Sequence, residues 1–416
     1  MKRIYTMILF LMLMTSYGCL PSGKNTDDKE SSDNLSISQS FSHDLELLNS
    51  VQDIILLTGN NEKAMVAISP KWQGRVMTST LSGKDGQSLG WINHELIRSG
   101  RTDPHINAYG GEDRFWLGPE GGQFSIYFKS GVPFSFENWF VPSVIDTEPF
   151  EITESNEIMA RFKKEMKLVN YSNFKFDLLV ERDVRLLDRN KVSEILGTSV
   201  NDLEFVAYES ENTITNKGDK AWTHDTGMLS IWILGMFQPS ASTTVIIPTK
   251  EGPESELGPK ANDTYFGKIP EDRLKIEKDV LFFLADGKMR GKIGISPKRA
   301  KPFMGSYNEE TNVLTVVKFS FDEKVSEYVN SLWEIQEDPF AGDVANSYND
   351  GPLEDGSQMG PFYELESSSP AAGLEPGSSL THIHTTLHLK GDKSTLDKIA
   401  QKVFEVSLAE VFAAFK

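Results

Sequence analysis

The sequence contains almost no cysteine and no long apolar segment. Cys19 is the only cysteine in the 416 residues, so no disulfide can form within the chain. The apolar run at residues 4–14 is too short to cross a bilayer as a permanent helix. Because Lys2 and Arg3 precede this run, the N-terminus is typical of an export signal that is removed after transport.

The position of Cys19 favours lipid attachment. Gly18, directly before it, suits the cleavage that precedes lipidation, although Ser16 stands where leucine is usual in lipoprotein signals. The alternative is an unmodified thiol near an ordinary cleavage site. We predict a lipoprotein signal peptide at residues 1–18, a lipid anchor at Cys19, and a periplasmic or surface-exposed position in a bacterial cell envelope.

Large apolar side chains are scarce after the signal. Residues 20–42 contain seven serines and four acidic residues, and such a stretch cannot bury enough surface to offset the entropy of ordering it. We therefore predict a disordered tether over residues 19–42 and a single domain over residues 43–416.

Positive charge is in deficit. The formal net charge is -18, and removal of Lys2 and Arg3 with the signal lowers it to -20. Such a chain repels nucleic acid and anionic lipid, which excludes nucleic-acid partners and favours a neutral ligand. The glycine-rich stretch at residues 109–128 lacks both phosphate-binding spacings, G-x-G-x-x-G and G-x-x-x-x-G-K-[ST]. We predict no cofactor.

Strand-helix-strand alternation is missing too, which disfavours a parallel α/β fold. Apolar and polar side chains instead alternate with period two in residues 174–180, in residues 313–321 and in residues 123–128, as strands do. Residues 338–361 are rich in glycine, proline and oxygen donors, but they do not fit the calcium-loop spacing. We predict a surface loop there.

Helical patterns are few. Residues 43–51 and 190–196 have short ones, and residues 394–415 carry an apolar stripe that should pack on a sheet. Together these patterns predict an all-β fold: one large antiparallel β-sandwich with a C-terminal helix.

Aromatic and charged side chains are concentrated in "YGGEDRFWLGPEGGQFSIYF", residues 109–128. Arg114 and Trp116 are two positions apart, so they point to the same side of an extended chain. An aromatic ring stacks on the apolar face of a sugar and a guanidinium donates to its hydroxyls, so this pair suits a saccharide. The alternative is a sheet corner in which Trp116 is core and Arg114 pairs with Glu112 or Asp113.

"GQSLG", residues 86–90, formally matches the G-x-S-x-G nucleophile elbow at Ser88. That elbow needs a buried apolar strand running into it and a helix after it. The preceding "SGKD" is polar and the strand-helix rhythm is missing, so the match does not predict a hydrolase.

Two segments near the C-terminus carry titratable side chains. In "FYELESSSP", Glu364 and Glu366 share one strand face, and paired carboxylates can supply a general acid or base. In "THIHTTLHL", His382, His384 and His388 share a face, and the turn between the two strands suggests that they are adjacent. A metal site at His382 and His384 with a glutamate is one alternative, and a solvent-facing histidine strand is the other.

Several segments resemble the galactose mutarotase-like, or aldose epimerase-like, superfamily. They are "WQGRVMTSTLSGKDGQSLGW", "ENTITNKGDKAWTHDTGMLSIW" and "YELESSSPAAGLEPGSSLTHIHTTLHL", within a resemblance that spans roughly residues 51–392. The chain is also similar to a group of bacterial lipoproteins that share "GGEDRFWLGPEGGQFS", "SIWILGMF" and "NSYNDGP". That closer resemblance implies a fold and an exported location, and it implies no activity.

The superfamily resemblance implies an all-β fold, a large antiparallel β-supersandwich with a C-terminal helix, and it implies roles for particular residues. In an aldose epimerase, a glutamate on a late strand is the base toward the anomeric hydroxyl, and a histidine of the central segment donates to the ring oxygen. Glu366 matches the glutamate best and Glu364 second. Met228 follows Gly227 where the superfamily has histidine, which leaves His224 as the nearest substitute. Without that acid, ring opening is expected to be about 10²-fold slower or worse.

We therefore predict that the domain binds a carbohydrate, with or without weak epimerase or other sugar chemistry. Glu366 should share a pocket with Arg114 and at least one of Trp116, His224 and Trp232. The alternatives are a metal-dependent enzyme and a surface lipoprotein without catalytic activity.

Overall fold

The computed structural model describes residues 40–59 and 63–416. The predicted signal peptide, Cys19 and most of the predicted tether lie outside these residues. Phe41 is fully buried and begins the first helix, so the folded region starts before residue 43, the predicted boundary. Within the described ranges, no helix has both the length and the hydropathy that a membrane crossing needs.

Most regular structure is β. The strands are β1 (Ile55–Thr58), β2 (Met65–Ser69), β3 (Arg75–Thr80), β4 (Arg114–Gly118), β5 (Glu151–Ser155), β6 (Met159–Val169), β7 (Lys175–Leu186), β8 (Glu204–Asn216), β9 (Ser230–Phe237), β10 (Thr243–Pro248), β11 (Leu274–Ile276), β12 (Val280–Leu284), β13 (Gly291–Ile295), β14 (Phe303–Asn308), β15 (Val313–Phe319), β16 (Ala345–Asn349), β17 (Tyr363–Ser368) and β18 (Ser379–Lys390).

The helices are short. They are α1 (Phe41–Asn49), α2 (His94–Ser99), α3 (Arg189–Leu196), α4 (Glu254–Leu257), α5 (Lys393–Phe404) and α6 (Leu408–Ala413), with 3-10 turns at Phe136–Asn138 and Ser143–Ile145. Ser40, Asn93, Asp188, Asp392 and Ser407 cap the N-termini of α1, α2, α3, α5 and α6 through side-chain oxygens, as helix starts prefer.

Three antiparallel sheets are formed. A ten-stranded sheet has the order β11-β12-β10-β14-β15-β18-β8-β7-β6-β5, a five-stranded sheet has the order β13-β16-β17-β9-β4, and β1-β2-β3 form a third. The two larger sheets pack face to face: Phe115 and Ile233 of the five-stranded sheet lie in one apolar cluster with Phe162 and Leu178 of the ten-stranded sheet. The predicted antiparallel β-sandwich is confirmed.

Helices cover the outer face of the ten-stranded sheet. Leu396 and Ile399 of α5 pack with Leu314 of β15 and Leu387 of β18, so the prediction that the C-terminal helix packs on a sheet is confirmed. The single helix predicted over residues 394–415 is wrong in one respect. Glu405 adopts a left-handed conformation (φ 63°) and ends α5 before α6 begins.

Two local predictions are wrong. Residues 123–128 are not a strand, because Ser125 donates its backbone N–H to Gly122 and its hydroxyl to the Glu120 carbonyl, which closes turns instead. Residues 338–361 are not only a surface loop, because they contain β16, which lies inside the five-stranded sheet between β13 and β17.

Candidate functional site

A cavity of about 860 Å³ lies on the outer face of the five-stranded sheet. Side chains at alternate positions of a strand point to the same face, and the strand register aligns those of the five strands across the sheet. The strand residues that line the cavity are Arg114, Trp116 and Gly118 of β4, Ser230, Trp232, Leu234 and Met236 of β9, Lys292 of β13, Asn346 and Tyr348 of β16, and Glu364 and Ser368 of β17.

The connecting segments between strands form the walls of the cavity. One wall is the turn at Phe136–Asn138 with Trp139, and another includes Trp333. Tyr265 and Phe266 come from the connection between β10 and β11. The cavity is therefore built from segments far apart in the sequence, which the sandwich brings to one face.

A buried carboxylate lies beneath the floor. Glu366 is fully buried, and its Oε2 accepts hydrogen bonds from Lys292 Nζ and Trp232 Nε1, each at 2.9 Å. Burial by itself lowers the pKa of Lys292, but Glu366, Glu120 and Glu364 outweigh it and raise the pKa above its usual value. Lys292 therefore stays charged where it donates to Glu366.

A second carboxyl group lies beside the first. Arg114 Nη2 donates to Glu364 Oε1 at 3.0 Å, and the Arg114 guanidinium lies 4.3 Å from the centre of the Trp116 ring. Burial raises the pKa of Glu364 to about 8; Arg114 opposes the shift and Glu366 adds to it. Glu364 can therefore gain or lose a proton near neutral pH.

Several buried polar atoms around the cavity have no hydrogen-bond partner among the described residues. They are Arg114 Nε and Nη1, Trp116 Nε1, Trp139 Nε1, Ser230 Oγ and Glu366 Oε1. Buried polar groups are nearly always paired, because leaving one unpaired costs about 1–3 kcal/mol. Donors and an acceptor left unpaired around one cavity indicate a ligand that carries hydroxyl groups.

Aromatic rings form a continuous array from the floor to the opening. The centre of the Trp116 ring lies 5.6 Å from that of Trp232 and 6.5 Å from that of Trp139. Trp139 stacks in turn on Trp333 at 5.8 Å and on Phe136 at 6.0 Å. Such an array offers apolar surface to the carbon-bearing faces of sugar rings.

The structure brings most of the predicted site residues together. Arg114, Trp116, Trp232 and Glu364 line the cavity, and Glu366 lies directly behind Trp232. Glu366 does not itself line the cavity, so its carboxylate is reached only past Trp232 and Lys292.

The alternative prediction, that Arg114 pairs with Glu112 or Asp113, is wrong. Asp113 pairs with Arg182 at 2.7 Å between the two large sheets, and Glu112 accepts hydrogen bonds from Ser79 and other buried groups. Both acids are fully buried, and neither lines the cavity.

His224 is not at the cavity, contrary to the prediction. Gly227 donates its backbone N–H to Thr223, which closes a tight turn just before β9. This turn places His224 at the surface, where its side chain is 62% exposed and lies 2.8 Å from Glu327. It therefore cannot act as the acid toward a ligand in the cavity.

His382 and His384 do not form a metal site with the glutamates. Their strand, β18, belongs to the ten-stranded sheet, whereas Glu364 and Glu366 lie on β17 of the other sheet. The hydroxyl of Ser367, which points inward, lies 2.8 Å from both imidazoles. The histidines therefore face the interior of the sandwich, and the carboxylates face the opposite side of β17.

Burial makes these two histidines acid-sensitive. It lowers the pKa of His382 to about 3 and that of His384 to about 4, so both are neutral in the folded protein. In the unfolded chain each binds a proton below about pH 6.5. The contribution of the two neutral histidines to the unfolding free energy is therefore complete above pH 6.5, and it is lost as the pH falls toward 4.

We expect the unfolding free energy of the wild type to fall between pH 7.5 and pH 5. In the variant His384→Gln this fall should be about 2 kcal/mol smaller. Urea denaturation at the two pH values measures this difference. His224→Gln, which changes an exposed imidazole, is the matched control and should keep the wild-type pH dependence. An unchanged pH dependence in His384→Gln contradicts the expectation.

Ser88 is not a nucleophile. It is 1% exposed, and its hydroxyl donates to the Asp44 carboxylate while lying 2.7 Å from the hydroxyl of Thr78. A buried hydroxyl committed to a carboxylate cannot reach a substrate, which agrees with the polar sequence before it.

One group of three possible metal ligands occurs among the described residues: His43, Asp44 and His94, whose ligand atoms lie within 4.8 Å of one another. Asp44 is already bound by His94 Nε2 at 2.5 Å and by Ser88. Arg98 donates to His43 Nε2 at 3.2 Å, which leaves the proton on the other nitrogen of that ring. That nitrogen cannot bind a metal in this arrangement, so the group is a hydrogen-bonded cluster.

The sequence analysis missed several residues of the cavity. Lys292 follows Gly291 in "GKIGI". The sequence signal that could have indicated its place at the site is a lysine in an otherwise apolar strand. Tyr265 donates to Asp343 at 2.6 Å, and burial raises the pKa of Asp343 to about 6. Trp139 lies in a segment without strand or helix periodicity, so no pattern indicated its position.

Comparisons with solved structures return proteins of low sequence identity. A putative aldose 1-epimerase from Escherichia coli K12 is 12% identical, with a TM-score of 0.49 over 82% of this chain and 99% of that chain. A galactose mutarotase-like protein from Lactobacillus casei ATCC 334 is 10% identical, with a TM-score of 0.46 over 81% of this chain and 100% of that chain.

A putative mutarotase from Salmonella typhimurium is 9% identical, with a TM-score of 0.46 over 82% of this chain and 91% of that chain. A search of curated proteins finds no match. A family model described as "Family of unknown function (DUF6786)" matches residues 39–415. Because that match spans nearly the whole chain, the protein belongs to the DUF6786 family.

Proposed function

We propose that the cavity on the five-stranded sheet binds a neutral carbohydrate. The observation that carries this proposal is the set of unpaired buried polar atoms of Arg114, Trp116, Trp139, Ser230 and Glu366 beside stacked indole rings. A sugar offers hydroxyls that accept from and donate to those atoms, and a carbon-bearing face that packs on the rings. Few other ligand classes combine both properties.

The charge of the cavity favours a neutral ligand over an anion. Its cationic side chains are those of Arg114, Arg290 and Lys292, and its acidic ones are those of Asp103, Glu120, Asp343, Asp350 and Glu364. Arg114 and Lys292 are already paired with Glu364 and Glu366. The cavity therefore has more acidic than cationic side chains, which disfavours a ligand carboxylate or phosphate.

Binding is better supported than mutarotation. Glu364 and Glu366 provide carboxyl groups, but ring opening also needs a donor at the ring oxygen. His105 lines the cavity, yet its Nδ1 lies 2.6 Å from the Trp139 carbonyl and must carry the proton. The other nitrogen of a neutral His105 is then an acceptor, and not the histidine donor that the resemblance implies.

We expect Trp116→Ala to weaken the binding of the preferred sugar about 30-fold or more, because a central buried aromatic carries a large share of binding energy. Isothermal titration calorimetry with a panel of monosaccharides and methyl glycosides measures the affinity. Trp222→Phe is the matched control: this indole is buried against Phe176, outside the cavity lining. If no sugar in a broad panel binds the folded wild type, the proposal fails.

The location is a second proposal. The apolar run, the cysteine position and the serine-rich stretch support export and lipid attachment at Cys19, so that the domain is held beside a membrane. We expect the full chain to incorporate radiolabelled palmitate in a bacterial host, and Cys19→Ala to lose the label. A labelled Cys19→Ala variant, or an unlabelled wild type, contradicts lipidation.

A further inference from the structure

The polarity of the cavity changes from its floor to its mouth. The unpaired donors and the two glutamates lie on or beneath the sheet at the floor. Four of the ten exposed large apolar side chains in the described part of the chain line this one cavity, and they are 39–57% exposed. They are Phe136, Phe266, Leu353 and Met359.

These exposed side chains are an unusual feature of the surface. Soluble proteins rarely keep several large apolar side chains together in solvent unless the patch binds something. The Arg290 guanidinium lies 3.8 Å from the centre of the Phe266 ring, so this charge stacks on one of the four side chains. Phe136 stacks on His105 at 5.0 Å, which holds its ring in place at the opening.

The size of the cavity exceeds one sugar. Pockets of about 300–1,000 Å³ enclose drug-sized molecules, and at about 860 Å³ this cavity lies near the upper end of that range. A monosaccharide on the floor between Trp116 and Trp232 leaves the mouth unfilled. A second part of the ligand must occupy it, and the lining there selects an apolar group.

We propose that the ligand is a glycoside whose sugar lies on the floor and whose aryl or alkyl aglycone lies against Phe136, Phe266, Leu353 and Met359. This inference rests on the proposed carbohydrate function and names the ligand class of the same site. The polar end enters first, because the unpaired donors are at the closed end. The aglycone stays at the mouth, where it covers side chains that are otherwise exposed.

The experiment compares methyl and p-nitrophenyl glycosides of the same sugar and anomer by calorimetry, with the corresponding disaccharides as a third set. We expect the p-nitrophenyl glycoside to bind at least about tenfold more tightly than the methyl glycoside, because it buries an additional apolar ring. Phe136→Ser and Phe266→Ser should weaken the p-nitrophenyl glycoside more than the methyl glycoside, so that the ratio of the two affinities falls toward one. Ile276→Ser, which alters an exposed apolar side chain on β11 outside the cavity lining, should keep it.

Each other outcome overturns the inference in a distinguishable way. Equal affinities for methyl and p-nitrophenyl glycosides exclude an aglycone site while the carbohydrate function stands. A disaccharide that gains as much as the p-nitrophenyl glycoside, through Phe136 and Phe266, assigns the mouth to a second sugar. If no glycoside binds the folded protein, the proposed function itself fails and the inference fails with it.

Discussion

Replacing Lys292 with methionine is expected to lower the unfolding free energy by about 3–5 kcal/mol and to abolish carbohydrate binding. Lys292 is 12% exposed and its ammonium pairs with Glu366, which has no exposed surface. Removing one partner of a buried ion pair leaves the other charge desolvated without compensation. Glu366 must then take up a proton or draw water into the floor, and either change alters the surface on which a sugar would lie.

Urea denaturation and calorimetric titration separate the two effects. The double variant Lys292→Met, Glu366→Leu removes both charges, so it should recover much of the lost stability while binding stays lost. Lys163→Met is the matched control, because Lys163 pairs with Glu151 at an exposed edge of the ten-stranded sheet. A Lys292→Met variant that is as stable as the wild type shows that Glu366 is not held as a buried carboxylate.

Arg182→Leu is expected to destabilise the sandwich by a similar amount, about 3–5 kcal/mol. Arg182 and Asp113 have no exposed surface, and the guanidinium also donates to Asn212 and to the Gly74 carbonyl. Leucine matches neither the charge nor these hydrogen bonds, so Asp113 and the carbonyl lose their partners between the sheets.

The control for Arg182→Leu is a surface arginine on the neighbouring strand. Arg161 on β6 pairs with Asp183 and Glu154, but it lies at the surface, where such pairs contribute little. We expect Arg161→Leu to leave the urea midpoint close to that of the wild type. If Arg161→Leu and Arg182→Leu destabilise the protein equally, the buried ion pair has no special role in joining the sheets.

The alternation of side chains along single strands was predictable from the sequence. It placed Glu364 and Glu366 on one face of β17, and it placed Arg114 and Trp116 on one face of β4. Period two decides which residues of a strand share a face. The C-terminal helices were likewise distinguishable from strands, because the apolar residues there are spaced with the helical period.

Strand partners were not predictable in the same way. The histidine strand follows the glutamate strand after a short turn, yet β18 enters the ten-stranded sheet while β17 stays in the other. Pairing depends on contacts between distant segments, which a local pattern does not contain. For the same reason Lys292 was missed as the partner of Glu366. β16 lies between their strands, and the register aligns Lys292 through Tyr348 with Glu364, so the ion pair with Glu366 is diagonal.

Turn geometry caused the remaining errors. The tight turn from Thr223 to Gly227 directs His224 outward, and the left-handed Glu405 divides the C-terminal helix. Both features depend on the conformation of one or two residues, and the surrounding composition is compatible with the predicted alternatives.

The most direct test of carbohydrate binding in the cavity is a crystal structure of the protein soaked with the tightest-binding sugar or glycoside from the calorimetric panel. We predict density for a sugar ring over Trp116 and Trp232, with hydroxyls within hydrogen-bond distance of Arg114 or Ser230. A sugar bound elsewhere on the domain, with the cavity above the five-stranded sheet free of ligand, would contradict the proposed site.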